Sequence, residues 1–431
     1  MLVTPLHSQI IRLTKCLHLR PIDALRRPSA QFTAGICRSP WTLGGIGLEW
    51  WYSEDIFNAR DAVTTLLIRD VPEFWNCDPE SVSEVVMHAL QEVCIDQTIF
   101  NVDDVVFSRK QTLFDCHAAT VPEFAAALLS VVELKLRTLI YRRCTVYAVP
   151  RFQVTSFRLE ADETQVIAKN DREAWRALID SGYEFDGWTP ERPYLGAKEE
   201  GTYAPPPDFT CVLVAEQRGT QKGGKFNSIL KFRKLSAVLI SIASERAAYP
   251  FQKAMARPFE FCIQFPHRSS INGTIVRSNC EPLVPYFVSD INIGPMEVSA
   301  ARGWFEAYAR CNVAAQSRVE KGAHFLNRAM NSEDIESYIN YFVTLDALFG
   351  QRGAVESSIL AGVRSLGIDA KYVEKASWLF ELRNEIVHGG SRYLTEWPKH
   401  GRYTQHFRTG PLADIRALAQ LAVLHAPRSL V

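Results

Sequence analysis

Apolar residues recur along this chain in two periods. After Pro79-Glu80-Ser81, the positions Val82, Val85, Val86, Leu90 and Val93 fall at helical spacing, which predicts an amphipathic helix. A longer helix is predicted over residues 121–144. It carries Leu128, Leu129, Val132, Leu136 and Leu139 on one face and Arg137, Arg142 and Arg143 near its end, where the helix dipole favours cations. Extended segments then take over. Residues 145–149, 152–159 and 209–215 have the β-branched and aromatic content of strands. Between the last two, residues 187–207 hold five prolines and read as a long surface loop or linker. A helix over 226–242, a strand over 259–265 and a proline-rich stretch over 282–295 complete this half.

From about Val298 the texture becomes helical. Helices are predicted over 300–318, 334–349, 355–366, 372–388 and 411–425, and no sizeable strand signal interrupts them. In the second of these, Ile335, Tyr338, Ile339, Phe342, Leu345 and Leu348 face inward. The expected fold is an α+β N-terminal region over 1–298, with a subdivision near 145–150, followed by an all-α helical bundle over 299–431.

Composition narrows the classes. A chain of 431 residues exceeds one ordinary domain. It has no apolar run of about 18 residues to span a bilayer. Residues 12–38 are Arg-rich with Asp23 as the one acid, which fits a solvated basic helix better than a transit peptide. The ten cysteines show no CxxC spacing, so the thiols read as reduced and mostly buried, with the cytoplasm as the default location. Zero formal net charge argues against a generic nucleic-acid coater. From Arg383 to Val431, however, seven basic residues face three acids, enough for a local phosphate-binding surface or a solvated basic face.

Several motifs carry candidate chemistry. Gly219-Thr220-Gln221-Lys222-Gly223-Gly224-Lys225 has the GxxxxGK spacing of a phosphate loop. Phe226 stands where a magnesium-binding Ser or Thr is needed, so a polar hairpin or strand-to-helix loop is the better reading. Cys116-His117 lacks a second pair for a metal. His324 and His425 sit on predicted helices. Trp50-Trp51-Tyr52, with Trp41, suits a core strand or helix start more than a recognition surface.

The densest chemistry lies in Leu382-Arg383-Asn384-Glu385-Ile386-Val387-His388-Gly389-Gly390. Trp378, Leu379, Leu382, Ile386 and Val387 mark an apolar helix face. Asn384 and His388, four apart, share another. Gly389-Gly390 is a C-terminal stop that leaves His388 in the last turn. Arg, Asn and His together are groups able to cut RNA without a metal.

With the upstream Ile339-Asn340-Tyr341-Phe342-Val343-Thr344-Leu345-Asp346-Ala347-Leu348-Phe349-Gly350, this segment resembles the HEPN superfamily, closest to its ApeA-like group. The resemblance covers roughly residues 300–428. It implies a helical domain that forms a homodimer, bringing two Arg-x4-His motifs together across a cleft as a metal-independent, cofactor-free endoribonuclease. On that footing Arg383, Asn384 and His388 are the catalytic residues. Asp346, where the group often shows Glu, is a supporting residue. The partners implied are RNA and a phage-derived trigger, in antiviral defence, with residues 1–298 as sensor or regulator. A non-catalytic HEPN scaffold binding RNA or a protein partner is the alternative.

Overall fold

A computed structural model of the chain describes residues 4–18, 35–38, 47–52, 55–93, 115, 121–185, 209–247, 251–255, 260–270 and 273–430. Packing divides them into two units. The first takes the described residues within Met1–Arg142, Gln217–Lys225 and Ser270–Asn272; the second takes those within Arg143–Glu216, Phe226–Ser269 and Gly273–Val431.

The first unit contains α1 (Pro5–Lys15), β1 (Leu17–His18), β2 (Gly35–Arg38), β3 (Gly47–Tyr52), α2 (Asp55–Asp70), α3 (Pro79–Val93) and α4 (Val121–Leu139). The strands form an antiparallel sheet in the order β1-β3-β2, and Trp50-Trp51-Tyr52 is strand. The helices bury Ile10, Leu13, Val63, Leu67, Leu128, Val132 and Leu136 in one core, with Val82, Val85, Val86, Leu90 and Val93 of α3. The helix expected to reach residue 144 stops at Leu139, and Leu139 itself is exposed. Arg143 and Cys144 instead pair with Pro266 and Phe265 across a sheet, so ladder hydrogen bonds override the helical spacing.

That sheet belongs to the second unit, whose elements run over from the first at residues 141–142 and 217–225. Its elements are β4 (Tyr141–Pro150), β5 (Phe152–Val154), β6 (Phe157–Leu159), β7 (Thr164–Ala168), α5 (Arg172–Asp180), β8 (Phe209–Gly219), α6 (Gln221–Arg246), β9 (Lys253–Met255), β10 (Glu260–Pro266), β11 (Val276–Cys280), β12 (Tyr286–Phe287) and β13 (Ile291–Ile293). Six strands lie in the order β11-β10-β4-β8-β7-β6. Side chains alternate across it. Tyr147 and Val149 of β4 join Cys211, Leu213 and Ala215 of β8 in one core. Cys144 and Val146 join Val212, Val214 and Trp175 of α5 in another. Both faces are covered, which is why the central strands read as continuous apolar runs.

The helical part follows as α7 (Pro295–Arg310), α8 (Val313–Asn331), α9 (Asp334–Phe349), α10 (Val355–Ser365), α11 (Ala370–Val387), α12 (His400–Phe407) and α13 (Pro411–Ser429). The single helix expected over 300–318 is two, because Asn312 caps α8 by accepting from the Ala315 N–H at 2.9 Å. The N-terminal part thus mixes helix and sheet, and the C-terminal part is largely helical. The boundary expected at 298 is not where packing divides. One core holds Leu213 of the sheet, Leu239 of α6, and Leu345, Leu379 and Leu418 of the C-terminal helices.

Helix α6 explains that continuity. Residues 232–243 are all buried, so this stretch has no solvent face, and its polar side chains need partners inside. Arg233 donates to Glu281 Oε2 at 2.5 Å and Asn327 Oδ1 at 3.3 Å. Lys234, the next residue, meets Asp162 Oδ1 at 2.7 Å, with both side chains buried. Ser241 donates to the Ala237 carbonyl at 2.7 Å. Desolvation holds the Asp162 carboxyl above its ordinary range even beside Lys234. On α8, burial and the charges of Arg233 and Arg328 push His324 down to about 4.

Two expectations follow. Asp162→Ala leaves the buried Lys234 ammonium with only its longer contact to Glu320 at 3.6 Å and should lower the unfolding free energy in urea by up to about 3 to 5 kcal/mol; Lys234→Met with Asp162→Leu should recover most of it. His324 binds its proton less readily folded than unfolded, so stability present above pH 6.5 should be lost as pH falls towards 4. His324→Gln should flatten the urea midpoint across that window.

Candidate functional site

Helix α11 starts where the Asp369 carboxylate accepts from the Lys371 N–H at 2.9 Å. It is fixed in the core by Leu379, Phe380 and Leu382. The buried Tyr338 hydroxyl of α9 donates to the Leu379 carbonyl at 2.6 Å, and the Phe342 and Phe380 rings lie 5.8 Å apart. On the side of α13, Lys375 meets Asp414 Oδ1 at 2.6 Å. The other Asp414 oxygen accepts from the Tyr403 hydroxyl at 2.8 Å and from Thr409 at 2.5 Å. Burial and the Asp414 charge push the Tyr403 phenol well up, so it stays a donor. This buried carboxylate joins α11, α12 and α13.

Burial fades after Leu382. Residues 383–386 are partly buried and 387–390 exposed, so Val387, expected on the apolar face, is 52% exposed. The last turn keeps one anchor, Ile386, packed against the core. It ends in two reverse bonds, Gly389 N–H to the Ile386 carbonyl at 3.0 Å and Gly390 N–H to Glu385 at 2.9 Å, the Schellman arrangement. Gly389 supplies the positive φ of 77° that this closure needs. His388 is the cap residue itself. Its ring is exposed and makes no hydrogen bond or ion pair among the described residues.

Arg383 points the other way. Its guanidinium lies over the Phe380 ring, 5.8 Å from the centroid, and Nη1 donates to Asn384 Oδ1 at 3.1 Å. The structure therefore joins Arg383 to Asn384, and the His388 N–H donates to the Asn384 carbonyl at 3.0 Å, but within one chain no hydrogen bond brings the His388 ring to either side chain. Among the described residues no carboxylate pairs with Arg383: Glu381 pairs with Lys399, and Glu385 folds against Gly390. Asp346 is exposed near the end of α9, its carboxylate turned onto Gly350, with no ion pair to Arg383.

Helix α12, absent from the sequence reading, adds cations beside α11. Arg402 lies 5.6 Å from the Trp378 ring, and His406 stacks near the same indole at 6.1 Å and 12° while meeting Glu374 at 2.9 Å. The signal was there: Tyr403 and Phe407, one turn apart and both buried, with Lys399, His400, Arg402 and His406 around them. Of the seven basic residues in this segment, Arg392 and Lys399 are ion-paired. Arg383, Arg402, Arg408, Arg416 and Arg428 have no ion pair among the described residues, so the local positive charge is not neutralised internally.

The other motifs resolve simply. The GxxxxGK segment forms no phosphate loop: β8 runs to Gly219, Thr220 alone separates it from α6, and Gly223 is inside the helix. A Cβ at Gly223 would collide with the Asn76 carbonyl oxygen, so close packing accounts for that glycine. Thr220 donates to Asp78 Oδ2 at 2.7 Å, and Lys222 pairs with Glu80 at 2.7 Å. Cys116-His117, Trp41 and residues 187–207 lie outside the described residues. Among those described, no group of His, Cys, Asp and Glu could hold a metal ion, and no helix is long and apolar enough to cross a membrane. Cys16, Cys77, Cys144, Cys211, Cys262, Cys280 and Cys311 are free thiols.

Compared with protein-family models, curated proteins and solved structures, the chain finds no match.

Gly389→Ala forces a Cβ into the left-handed region at the helix stop. It should cost about 1 to 2 kcal/mol, read as a shift in urea midpoint that Gly389→Asn largely avoids.

Proposed function

We propose that the C-terminal helices form a HEPN-like endoribonuclease that cleaves RNA without a metal or cofactor. The observation that carries the reading is the free end of α11. Arg383 lacks a carboxylate partner and His388 is an exposed, unengaged imidazole, both within the motif that resembles HEPN.

In the proposed reaction the ribose 2′-oxygen attacks the adjacent phosphorus. The 2′-O–P bond forms, the P–O5′ bond breaks, and a 2′,3′-cyclic phosphate and a 5′-hydroxyl result. His388 moves the proton between these oxygens. Arg383 stabilises the charge on the non-bridging oxygens, and Asn384 holds Arg383 and presents its own amide N–H groups. DNA lacks the 2′-hydroxyl and is excluded. Since Arg383 and His388 do not meet within one chain, the working site is composite, with the second motif supplied by another copy in a homodimer. The unpaired Arg402 and Arg408 extend the positive surface for the phosphate backbone. On the same resemblance the protein is a cytoplasmic anti-phage effector, its N-terminal region sensing a phage-derived trigger or restraining the nuclease.

The separation of Arg383 from His388 also favours the alternative, a non-catalytic scaffold that binds RNA or a protein partner. Total RNA incubated with the full-length protein in EDTA decides between them. Cyclic-phosphate ends should appear and fall at least about 100-fold with His388→Ala or Arg383→Ala. Intact RNA in the presence of infected-cell lysate, or cleavage unchanged in His388→Ala, would leave the scaffold.

A further inference from the structure

The second unit contains a cavity of about 420 Å³ that none of the motif residues line. It lies where the C-terminal end of α6, the β9–β12 pair, the first turns of α9 and the first half of α13 converge. The volume is in the range of small-molecule sites, about 300 to 1,000 Å³. Its apolar wall is formed by Phe251, Phe287, Met330 and Leu412, with the two Phe rings 5.8 Å apart and edge-on. The lining also includes polar residues, with Lys253, Glu333, Asp334, Asp414 and Arg416 as its charged groups, so the recess has an apolar side and a polar side.

Most of those polar groups are already engaged. Lys253 donates to the Ser332 carbonyl at 2.5 Å and pairs with Glu333 at 2.8 Å. Asp414 is held by Lys375, Tyr403 and Thr409. Gln420 donates to Ser244 at 3.4 Å. Among the described charged groups of the wall, Asp334 and Arg416 are left over, and Arg416 is the cation. It is partly buried, lines the cavity, and has no hydrogen bond or ion pair among the described residues. Tyr341 lines the same cavity, and burial pushes its ionisation up to about 12 against the pull of the Arg416 charge. Tyr341 stands beside Ser337, which also lines the cavity. A guanidinium left without an anion in a half-buried recess, next to two hydroxyls, is a ready site for a carboxylate or phosphate.

The charge balance decides between them. Asp334 also lines the cavity and has no ion pair among the described residues. A phosphate monoester would bring a second negative charge against it with no second free cation among the described residues of the wall, whereas a carboxylate has one charge to place.

We propose that this cavity binds a small monocarboxylic acid, with its carboxylate on Arg416 and its aliphatic or aromatic body against Phe251, Phe287, Met330 and Leu412. The proposal is independent of the nuclease reading, since no residue of Arg383, Asn384 or His388 lines the cavity.

The probe is 8-anilinonaphthalene-1-sulfonate, a singly charged aromatic anion, titrated into the full-length protein and then displaced with octanoate or octanol. Expected is saturable binding of one probe per chain, with octanoate displacing it at least about tenfold more effectively than octanol of the same chain length. Arg416→Met should abolish that preference, and Ala417→Trp, which fills the recess, should abolish saturable binding. Equal displacement by octanoate and octanol on the wild-type protein would overturn the proposal whatever the variants do. So would a lack of saturable probe binding, or an octanoate preference that survives Arg416→Met.

Discussion

A helix without a solvent face constrains everything packed on it. Over residues 232–243, α6 is buried on its whole circumference, yet it carries Arg233, Lys234, Ser236 and Ser241. Its two adjacent cations resolve this by diverging, Arg233 to Glu281 and Asn327, Lys234 to Asp162. Bringing those charges out of water costs several kcal/mol each unless the partners are in place. The hairpin that carries Asp162 and the helix that carries Asn327 must therefore dock together with α6 itself. Sheet and C-terminal helices share one core for that reason, and the change of texture at residue 298 marks a change of secondary structure within one unit.

The same core ends short of the motif. Tyr338 and Asp414 pin α11 from its second turn to Leu379 with buried hydrogen bonds; full burial stops at Leu382, and Ile386 alone continues the packing into the last turn. Around that anchor Arg383 and Asn384 are half-buried and His388 is exposed. They are placed by a rigid element and remain open to whatever approaches, which is how sites built on helices combine precision with access.

Much of this organisation is legible in the residues. The spacing of Val82, Val85, Val86, Leu90 and Val93 marks a buried helix face, and 334–349 is the range of α9 read directly from its inward-facing stripe. Where periodicity is ambiguous, partners decide. Tyr141 to Cys144 continue a helical pattern until β10 offers a ladder, and α12 has only Tyr403 and Phe407 as apolar anchors, too few to stand out. At the motif, spacing shows which residues share a face but not where side chains go. Arg383 turns towards the helix N-terminus onto Phe380, as long side chains on helices do, away from His388. The cavity around Arg416 gathers residues more than a hundred positions apart, from Ile240 to Gln420, and no local pattern could announce it.

The contact between Arg383 and Asn384 reaches further than its 3.1 Å. A carboxamide oxygen has two lone pairs, and here the guanidinium takes one of them. Asn384 keeps both amide N–H groups and one lone pair, while the guanidinium offers N–H alone. The two side chains together form a patch richer in donors than in acceptors. Such a patch favours by polarity, before charge or shape, a molecule rich in oxygens over one rich in donors.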